Sequence, residues 1–471
     1  MLSRFENKKV DREWLNTNFP CMMACPAGTN AGRYVSLIAE GRFEEAYHCA
    51  RDPNPLASVC GRVCAHPCET ACRRGEIDSP ISIRALKRFL TERYGPESRH
   101  PLKTQRTNAP KLPYRIAIVG SGAAGIAAAV CAARTGYTTL LLDQNSSAGG
   151  TGGFSGLTTL CGLFDDEGKF LNAGFTREFT EAIAEAAPVQ MGKVWVLPYH
   201  PEKFRAAAEK FFAAEPKLQT RWNTPLENVV LENNRIVCLN GIAVGAVIDC
   251  SGTAEVARTI GADCLATDAT TQAPAVIFPL QNVTRKIDSP ADAARILLPL
   301  ARAGFPSLNF HASLEPNTLT VKFTGRVEQA RDVIQFLRVN ISGFENCSAP
   351  LTSFTEAQRA GRMIIGQYTL TGADVLAGKK FPDAVARCAW PIEQWNADGV
   401  VRYNYLPAGT HYEIPARSLR AAKIENFFMA GKTISADAAA IASARVMGAC
   451  LVTGAAAGNL AANYLDSAHA K

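Results

Sequence analysis

The sequence has no unbroken apolar run long enough to cross a membrane. Its most apolar stretch, 438–462, is interrupted by Arg445 and several glycines, whereas a spanning helix needs about 20 mostly apolar residues. The opening MLSRFENKKVDREW carries both charges and has no apolar core behind it. That argues against an ordinary secretory leader and sets the expectation of a cytoplasmic chain. There is no basic run interleaved with aromatics and no nucleic-acid recognition motif, so nucleic acid is not an expected partner. Net charge is modest, 50 Lys+Arg against 43 Asp+Glu.

What is present is uneven. The 471 residues, 47% hydrophobic and 20% charged, suit two or three globular domains. Of 15 cysteines, Cys21, Cys25, Cys49, Cys60, Cys64, Cys68 and Cys72 crowd into the N-terminal part. The run VCGRVCAHPCETAC repeats its cysteines every four residues. That spacing brings thiols to one side of a short helix or a tight coil. Thiolates are soft ligands, and four of them suit an iron–sulfur cluster or zinc. Around them, Tyr34, Leu37, Ile38, Phe43 and Tyr47 predict two short amphipathic helices, and SIRALKRFLTERYG a third. Cys49 and His66 read as structural. Residues 1–110 hold 17 Lys+Arg and 12 Asp+Glu. This basic excess can steer an acidic partner or simply be a solvated face.

CMMACPAG and NPLASVCGRVCAHPCETACRRGEIDSPISIRALKRF resemble the iron–sulfur domain of the glutamate synthase small subunit and of dihydropyrimidine dehydrogenase. The resemblance spans roughly residues 15–95 and implies a [4Fe–4S] cluster that passes single electrons. The implied ligands come from Cys25, Cys60, Cys64 and Cys68, with Cys21 or Cys72. The sequence departs from the fullest pattern. Two upstream cysteines are missing, and Arg84–Arg88 stands where a non-cysteine ligand can occur. One cluster is therefore expected, and a second complete one is left open.

A proline-rich polar linker follows, and then RIAIVGSGAAGIAAAVCAARTGYTTLLLDQ. Arg115–Val119 reads as a strand and Gly120, Gly122 and Gly125 as G-x-G-x-x-G. Ala123 and Ala124 lie within the motif, Ala127, Ala128 and Ala129 after Ile126 begin a small-residue helix, and a second strand ends at Asp143. The glycines allow a tight turn, close approach of backbone to a pyrophosphate, and close helix packing. The helix start offers free N–H groups, and Asp143 can accept from a ribose. After Gln144 come Gly149, Gly150 and Thr151 in a glycine-rich segment. A Gly–Gly pair in that place resembles FAD proteins with two dinucleotide motifs.

The stretches VIDCSGTAEVARTIGAD, IIGQYTLTGADVLAGKKFPDAVARCAWPIE and YEIPARSLRAAKIENFFMAGKTIS…ARVMGACLVTGAAAG extend the likeness to FAD-dependent oxidoreductases of the glutathione-reductase-like fold. It implies FAD and an inserted substrate domain. By their own placement, Ser251 and Gly252 in the turn after Asp249, and Gly431 and Asp437 at the last glycine turn and helix, are further candidate FAD contacts, though no side-chain role at Asp437 is carried over from the family. No second strand–GxGxxG–helix unit is found, so nicotinamide binding is not supported.

Candidate catalytic residues are His411, Tyr412 and Arg417, just ahead of the last flavin motif, and Cys161 beyond the glycine loop. An imidazole or phenol can move the proton that accompanies hydride transfer, and Arg417 can hold an anion. Cys161 lacks the partner of a CxxC pair. Ser155, Thr158, Arg362 and Glu393 are weaker candidates, and His200 and His311 read as structural or exposed.

The expected fold is α/β: a Rossmann-like FAD domain (111–165, 225–265, 415–471) with an inserted α+β substrate domain (166–224, 266–414), preceded by a helical iron–sulfur domain (1–110). The expected function is oxidoreduction. A small organic substrate trades two electrons with FAD. The cluster passes them singly to an external carrier, such as an acidic ferredoxin or flavodoxin. Two rival readings remain: an electron-transfer subunit of a larger complex, and an oxidase or monooxygenase with a structural cysteine domain. A homodimer and a subunit of a complex both fit the sequence.

Overall fold

The computed structural model describes residues 18–95, 98, 114–266, 272–287, 289–313, 315–350, 355–359, 361–396 and 401–469. It divides into two compact units, Met1–Lys111 and Leu112–His469.

The first unit is helical. Helices Ala31–Ala39, Phe43–Arg51 and Ile83–Tyr94 bury Tyr34, Leu37, Ala46, Tyr47, Ile83 and Leu90 together, the apolar positions that the 3.6-residue period selects. Asn30 caps the first helix by accepting from the Arg33 N–H at 3.0 Å. Helix Ala57–Val63 crosses Ile83–Tyr94 closely, because a Cβ on Gly61 would stand 3.0 Å from the Arg88 Cα. The cysteine run is a broken coil, not one helix. Cys60 lies in Ala57–Val63, Cys64 is extended and His66 is left-handed with φ of 50°. Cys68 sits in the short turn of helix Pro67–Thr70.

The second unit is built on a parallel sheet of five strands. Their order is Phe427–Met429, Ala246–Asp249, Ile116–Val119, Thr139–Leu142, Leu218–Arg221. The strands are apolar on both faces, as a sheet covered twice requires. Ile116, Ile118, Leu141 and Ile248 enter one core; Ala117, Leu140, Leu142 and Val247 enter the other. Each such Leu or Ile contributes about 1.5–3 kcal/mol on burial. Strand Leu218–Arg221, expected in the substrate domain, is the edge of this sheet, since its first residue pairs with Thr139. Its half-buried, mixed sequence hid that.

Small residues bring the helices close. A Cβ on Gly454 would lie 2.0 Å from the Ala124 carbonyl oxygen, and one on Gly458 2.6 Å from that of Ala128. The C-terminal helix Met447–His469 therefore lies against the dinucleotide helix Ala123–Arg134. It follows helix Ala438–Ala444 after a 94° bend, with Arg445 at the corner.

A second, antiparallel sheet has the order Asn309–Ala312, Leu319–Thr324, Ala275–Leu280, Thr355–Ala357. One face carries Val276, Phe278, Val321 and Phe323 into a core with helices Pro290–Arg302 and Gln329–Asn340. By the two-residue period, Ala275, Ile277 and Lys322 point to the other face. Arg362, a weaker site candidate, is exposed on strand Arg362–Ile364, paired to Cys264–Ala266. No single described helix is long and apolar enough to cross a membrane; Ala438–Ala444 with Met447–Ala468 passes that test only as a bent pair.

Candidate functional site

One cavity of about 860 Å³ joins the carboxyl edge of the parallel sheet to the open face of the antiparallel sheet. In α/β sheets, ligands bind beyond the carboxyl ends of the strands.

The nucleotide part is made by backbone. Gly120 has φ of 97°, and a Cβ there would lie 2.6 Å from the Cys250 carbonyl oxygen. A Cβ on Gly125 would lie 1.7 Å from the Gly120 oxygen. Nothing lies within 4 Å of a Cβ on Gly122, which leaves open the space that a pyrophosphate needs at the start of helix Ala123–Arg134. Asp143 accepts from the Ser121 N–H and hydroxyl at 2.6 Å each, and from the Asn145 N–H and amide at 2.8 Å each. Asp249 organises the neighbouring turn, accepting from the Ser251 hydroxyl at 2.6 Å and the Val256 N–H at 3.0 Å. These residues fit a dinucleotide.

Most of the sequence-predicted cofactor residues line the cavity: Gly120, Gly122, Ala123, Ala124, Asp143, Gln144, Gly150, Thr151, Ser251, Gly252 and Gly431. Gly125 and Gly149 shape its wall without lining it. Asp437 is a correction. It caps helix Ala438–Ala444 by accepting from the Ala440 N–H at 2.7 Å, and it also accepts from the Gly372 N–H.

The other part of the cavity is a charged chamber. Lys322 comes from the antiparallel sheet, Arg359 from the loop after Thr355–Ala357, Glu393 from strand Ile392–Trp395 and Arg445 from the helix corner. Tyr403 pairs with Glu393 across a two-strand ribbon, so both face one way. Glu393, 7% exposed, accepts from Trp395 Nε1 at 2.8 Å and Trp390 Nε1 at 3.1 Å. Burial raises its carboxyl, but Lys322, Arg445, Trp390 and Arg359 outweigh that and hold it below the usual range. Burial pushes Lys322 down to about 8, against the upward pull of Glu393. The Lys322 ammonium and the Arg359 guanidinium lie 4.2 and 3.9 Å from the Trp395 ring centre.

Of the predicted catalytic residues only Cys161 lines the cavity. Burial, and then Glu393, push its thiol up to about 12, so it stays protonated near neutral pH. His411, Tyr412 and Arg417 lie outside the lining. Tyr412 is buried and shares a hydrogen bond with Ser443 at 2.8 Å. Arg417 pairs with Asp383 at 3.0 Å. His411 gives its carbonyl to Lys380, and burial lowers its imidazole. Nearness in sequence to the last motif misled, because the strand Tyr412–Pro415 pairs with Ala384–Cys388 on another side. Ser155 hydrogen-bonds to the Thr151 carbonyl. Neither Ser155 nor Thr158 lines the cavity. His200 caps helix Pro201–Ala213; the His311 side chain is outside the described residues. Lys322, Arg359, Tyr403 and Arg445 were missed. Arg445 left a signal, a lone charge in an alanine-rich run, and Lys322 another, on the open face of an alternating strand.

In the N-terminal unit, Cys21, Cys25, Cys49 and Cys68 all act on the Tyr34 hydroxyl, and Cys68 shares a field with Cys25 and Cys64. Burial raises Cys25, but hydrogen bonds from Thr29 and Ala27 and the Lys87 charge outweigh it and hold it below its ordinary value. Burial first, then Cys25, Glu69 and Cys64, push Cys68 up to about 11. Cys64 Sγ accepts from the His66 N–H at 3.4 Å. No three described ligand side chains gather closely enough for a single metal ion. A four-iron cluster takes each thiolate on a different iron and asks for a wider ring. The donor chemistry fits such a cluster.

Residues 115–298 and 303–470 match the family described as FAD dependent oxidoreductase. The chain belongs to that family. Residues 8–98 match dihydropyrimidine dehydrogenase domain II, 4Fe-4S cluster. The protein is thus an FAD-dependent oxidoreductase with a 4Fe-4S domain. Among curated relatives, it is 36% identical to the NADP(+)-dependent formate dehydrogenase subunit beta of Moorella thermoacetica, over 28% of this chain and 21% of that one. It is 43% identical to the NADPH-Fe(3+) oxidoreductase subunit beta of Geobacter sulfurreducens, over 25% and 17%. It is 33% identical to the NAD-dependent dihydropyrimidine dehydrogenase subunit PreT of Escherichia coli, over 30% and 34%. The chain thus spans about a sixth to a third of the length of these relatives.

Proposed function

We propose that the protein exchanges two electrons with a small organic substrate held in the charged chamber and trades them singly with an external carrier through its N-terminal unit. The observation that carries this reading is the single cavity, in which the dinucleotide turn and a chamber of titratable groups share one space. A chain that only relayed electrons would have no use for such a chamber. When bound, FAD supplies hydride exchange with substrate and conversion to one-electron traffic, and the cluster supplies single-electron transfer.

The chain's own residues do the rest. The Gly120–Gly125 turn and Asp143 hold and orient the dinucleotide. Trp390, Trp395, Tyr403 and Leu157 wall the chamber and limit water. Lys322, pushed down to about 8 by burial, can give or take the proton that accompanies hydride transfer at its Nζ. In the N-terminal unit Cys25, Cys60, Cys64 and Cys68 would ligate the cluster, with Cys21 or Cys72 in reserve, and Lys87, 8% exposed, supplies positive charge facing Cys25 and Cys68.

The curated relatives are named as subunits, which supports a second chain or an acidic carrier as partner, drawn by the basic N-terminal part. The nicotinamide in their names is not carried over, because the second dinucleotide motif is missing. The test is anaerobic: reduce the holoprotein with dithionite, then add an acidic ferredoxin and follow flavin and cluster absorbance. Joint reoxidation by the carrier supports the relay. Reoxidation by air alone, with the carrier inert, favours an oxidase.

A further inference from the structure

The chamber has more positive charge than its own walls can use. Among the described residues, Lys322, Arg359 and Arg445 face one carboxylate, Glu393. That carboxylate is already committed to the two indole N–H groups. Arg359 is 7% exposed. It donates Nη1 to the Ala273 carbonyl at 2.7 Å, yet its Nη2 is buried without a partner. Arg445 has both Nε and Nη2 buried without a partner among the described residues. Asn309, beside Lys322 on the sheet, has a buried amide oxygen with none.

Burying an unpaired guanidinium edge is costly, and folded chains keep such groups where something else completes them. The Trp395 ring covers one face of Arg359, so its edge is what remains to be met. A planar N–H fork meets a carboxylate with two parallel hydrogen bonds. The phosphates of a dinucleotide do not supply this anion, because their cradle is the Gly120–Gly125 turn at the other part of the cavity. Three cations against one carboxylate leave room for an added negative charge.

We propose that the chamber binds an organic acid, with the substrate carboxylate held by the free edges of Arg359 and Arg445. This rests on the reading that the chamber receives substrate, and it narrows the substrate class to small carboxylates. Lys322 and Glu393 then lie beside the remainder of the molecule, and Arg359 and Arg445 set its orientation.

The test needs no turnover. Oxidised holoprotein is titrated with acetate and benzoate, with acetamide and benzamide as uncharged matches, and with inorganic phosphate. Flavin difference spectra and calorimetry give the readout. The expected result is saturable binding of the acids, none of the amides, and phosphate weaker than the acids. Arg359→Gln should weaken acid binding by about tenfold or more, and Arg359→Lys should recover part of it. Arg417→Gln, which removes an exposed ion pair elsewhere, should bind acids like the parent. If Arg359→Gln does not fold, Arg445→Lys serves in its place, with a smaller expected loss. Amides that bind as well as acids, phosphate that binds more tightly, or acid binding unchanged in Arg359→Gln would overturn the proposal. The last result, with flavin retention lowered, would mean that the guanidiniums serve the flavin edge instead. A holoprotein that binds acids selectively but passes no electrons from flavin to cluster would keep this proposal and sink the relay.

Discussion

The two parts of the cavity are finished to different degrees. In the nucleotide part the polar groups that shape it are partnered within the chain: Asp143 by Ser121 and Asn145, Asp249 by Ser251 and Val256. In the chamber, Arg359, Arg445 and Asn309 keep buried polar atoms without a partner among the described residues. A rigid cofactor cradle can be complete before its ligand arrives, because backbone and glycine do the fitting. A chamber built from long charged side chains is complete only with an occupant. The difference separates what the fold holds from what the chemistry selects.

The comparison can be broken most sharply at Gly125. Gly125→Val would drive a side chain into the Gly120 carbonyl, and flavin content, read by absorbance, should fall by well over tenfold. Retained flavin would show that the turn is not the cradle. Next is Glu393→Gln. It removes the carboxylate that the buried cations share, and the loss of stability in urea should be about 3 kcal/mol, with flavin still bound at low denaturant. A loss under about 0.5 kcal/mol would mean the cations find solvent instead.

Lys322 offers a graded version. Its folded affinity for a proton lies below the unfolded one, so the unfolded chain holds more protons between about pH 8 and pH 10.5. Stability should therefore rise across that window, and the cost of the charged buried amine applies in full below it. Lys322→Met should remove roughly 3 kcal/mol of that rise in denaturation curves. The groups that face Lys322 are Glu393, Arg359, Cys161 and Arg445; burial pushes Arg359 down to about 9, so it adds a rise of the same sign from about pH 9 upward, and that part stays in the Lys322→Met variant. A variant with the same slope as the parent would place the lysine in solvent. The smallest effect is expected from Cys161→Ser. A thiol pushed up to about 12 is no nucleophile at neutral pH, so reduction of the flavin should change by less than about twofold. A large loss would restore the redox role first considered for it.

The contrast also explains what could be read from the chain alone. The strand ending at Val119, the glycine turn and Asp143 are contiguous, and each has a local reason to be there. The same is true of the four-residue cysteine spacing. Leu218–Arg221 was misplaced because an edge strand carries only a weak apolar signature. The chamber was out of reach because Lys322, Arg359, Glu393 and Arg445 come from four separate elements. Only the register of the antiparallel sheet, the Glu393–Tyr403 pairing and the helix bend at Arg445 bring them together. His411, Tyr412 and Arg417 were the reverse case, close in sequence to the flavin motif and folded away from the cavity.

The central claim is that one chain carries both flavin and cluster as working redox centres. The most direct test is anaerobic purification with flavin, iron and sulfide measured on one sample, and visible spectra before and after dithionite. The account predicts one FAD with roughly four irons and four sulfides per chain, bleaching together. Flavin accompanied by zinc, or by no metal at all, would contradict it.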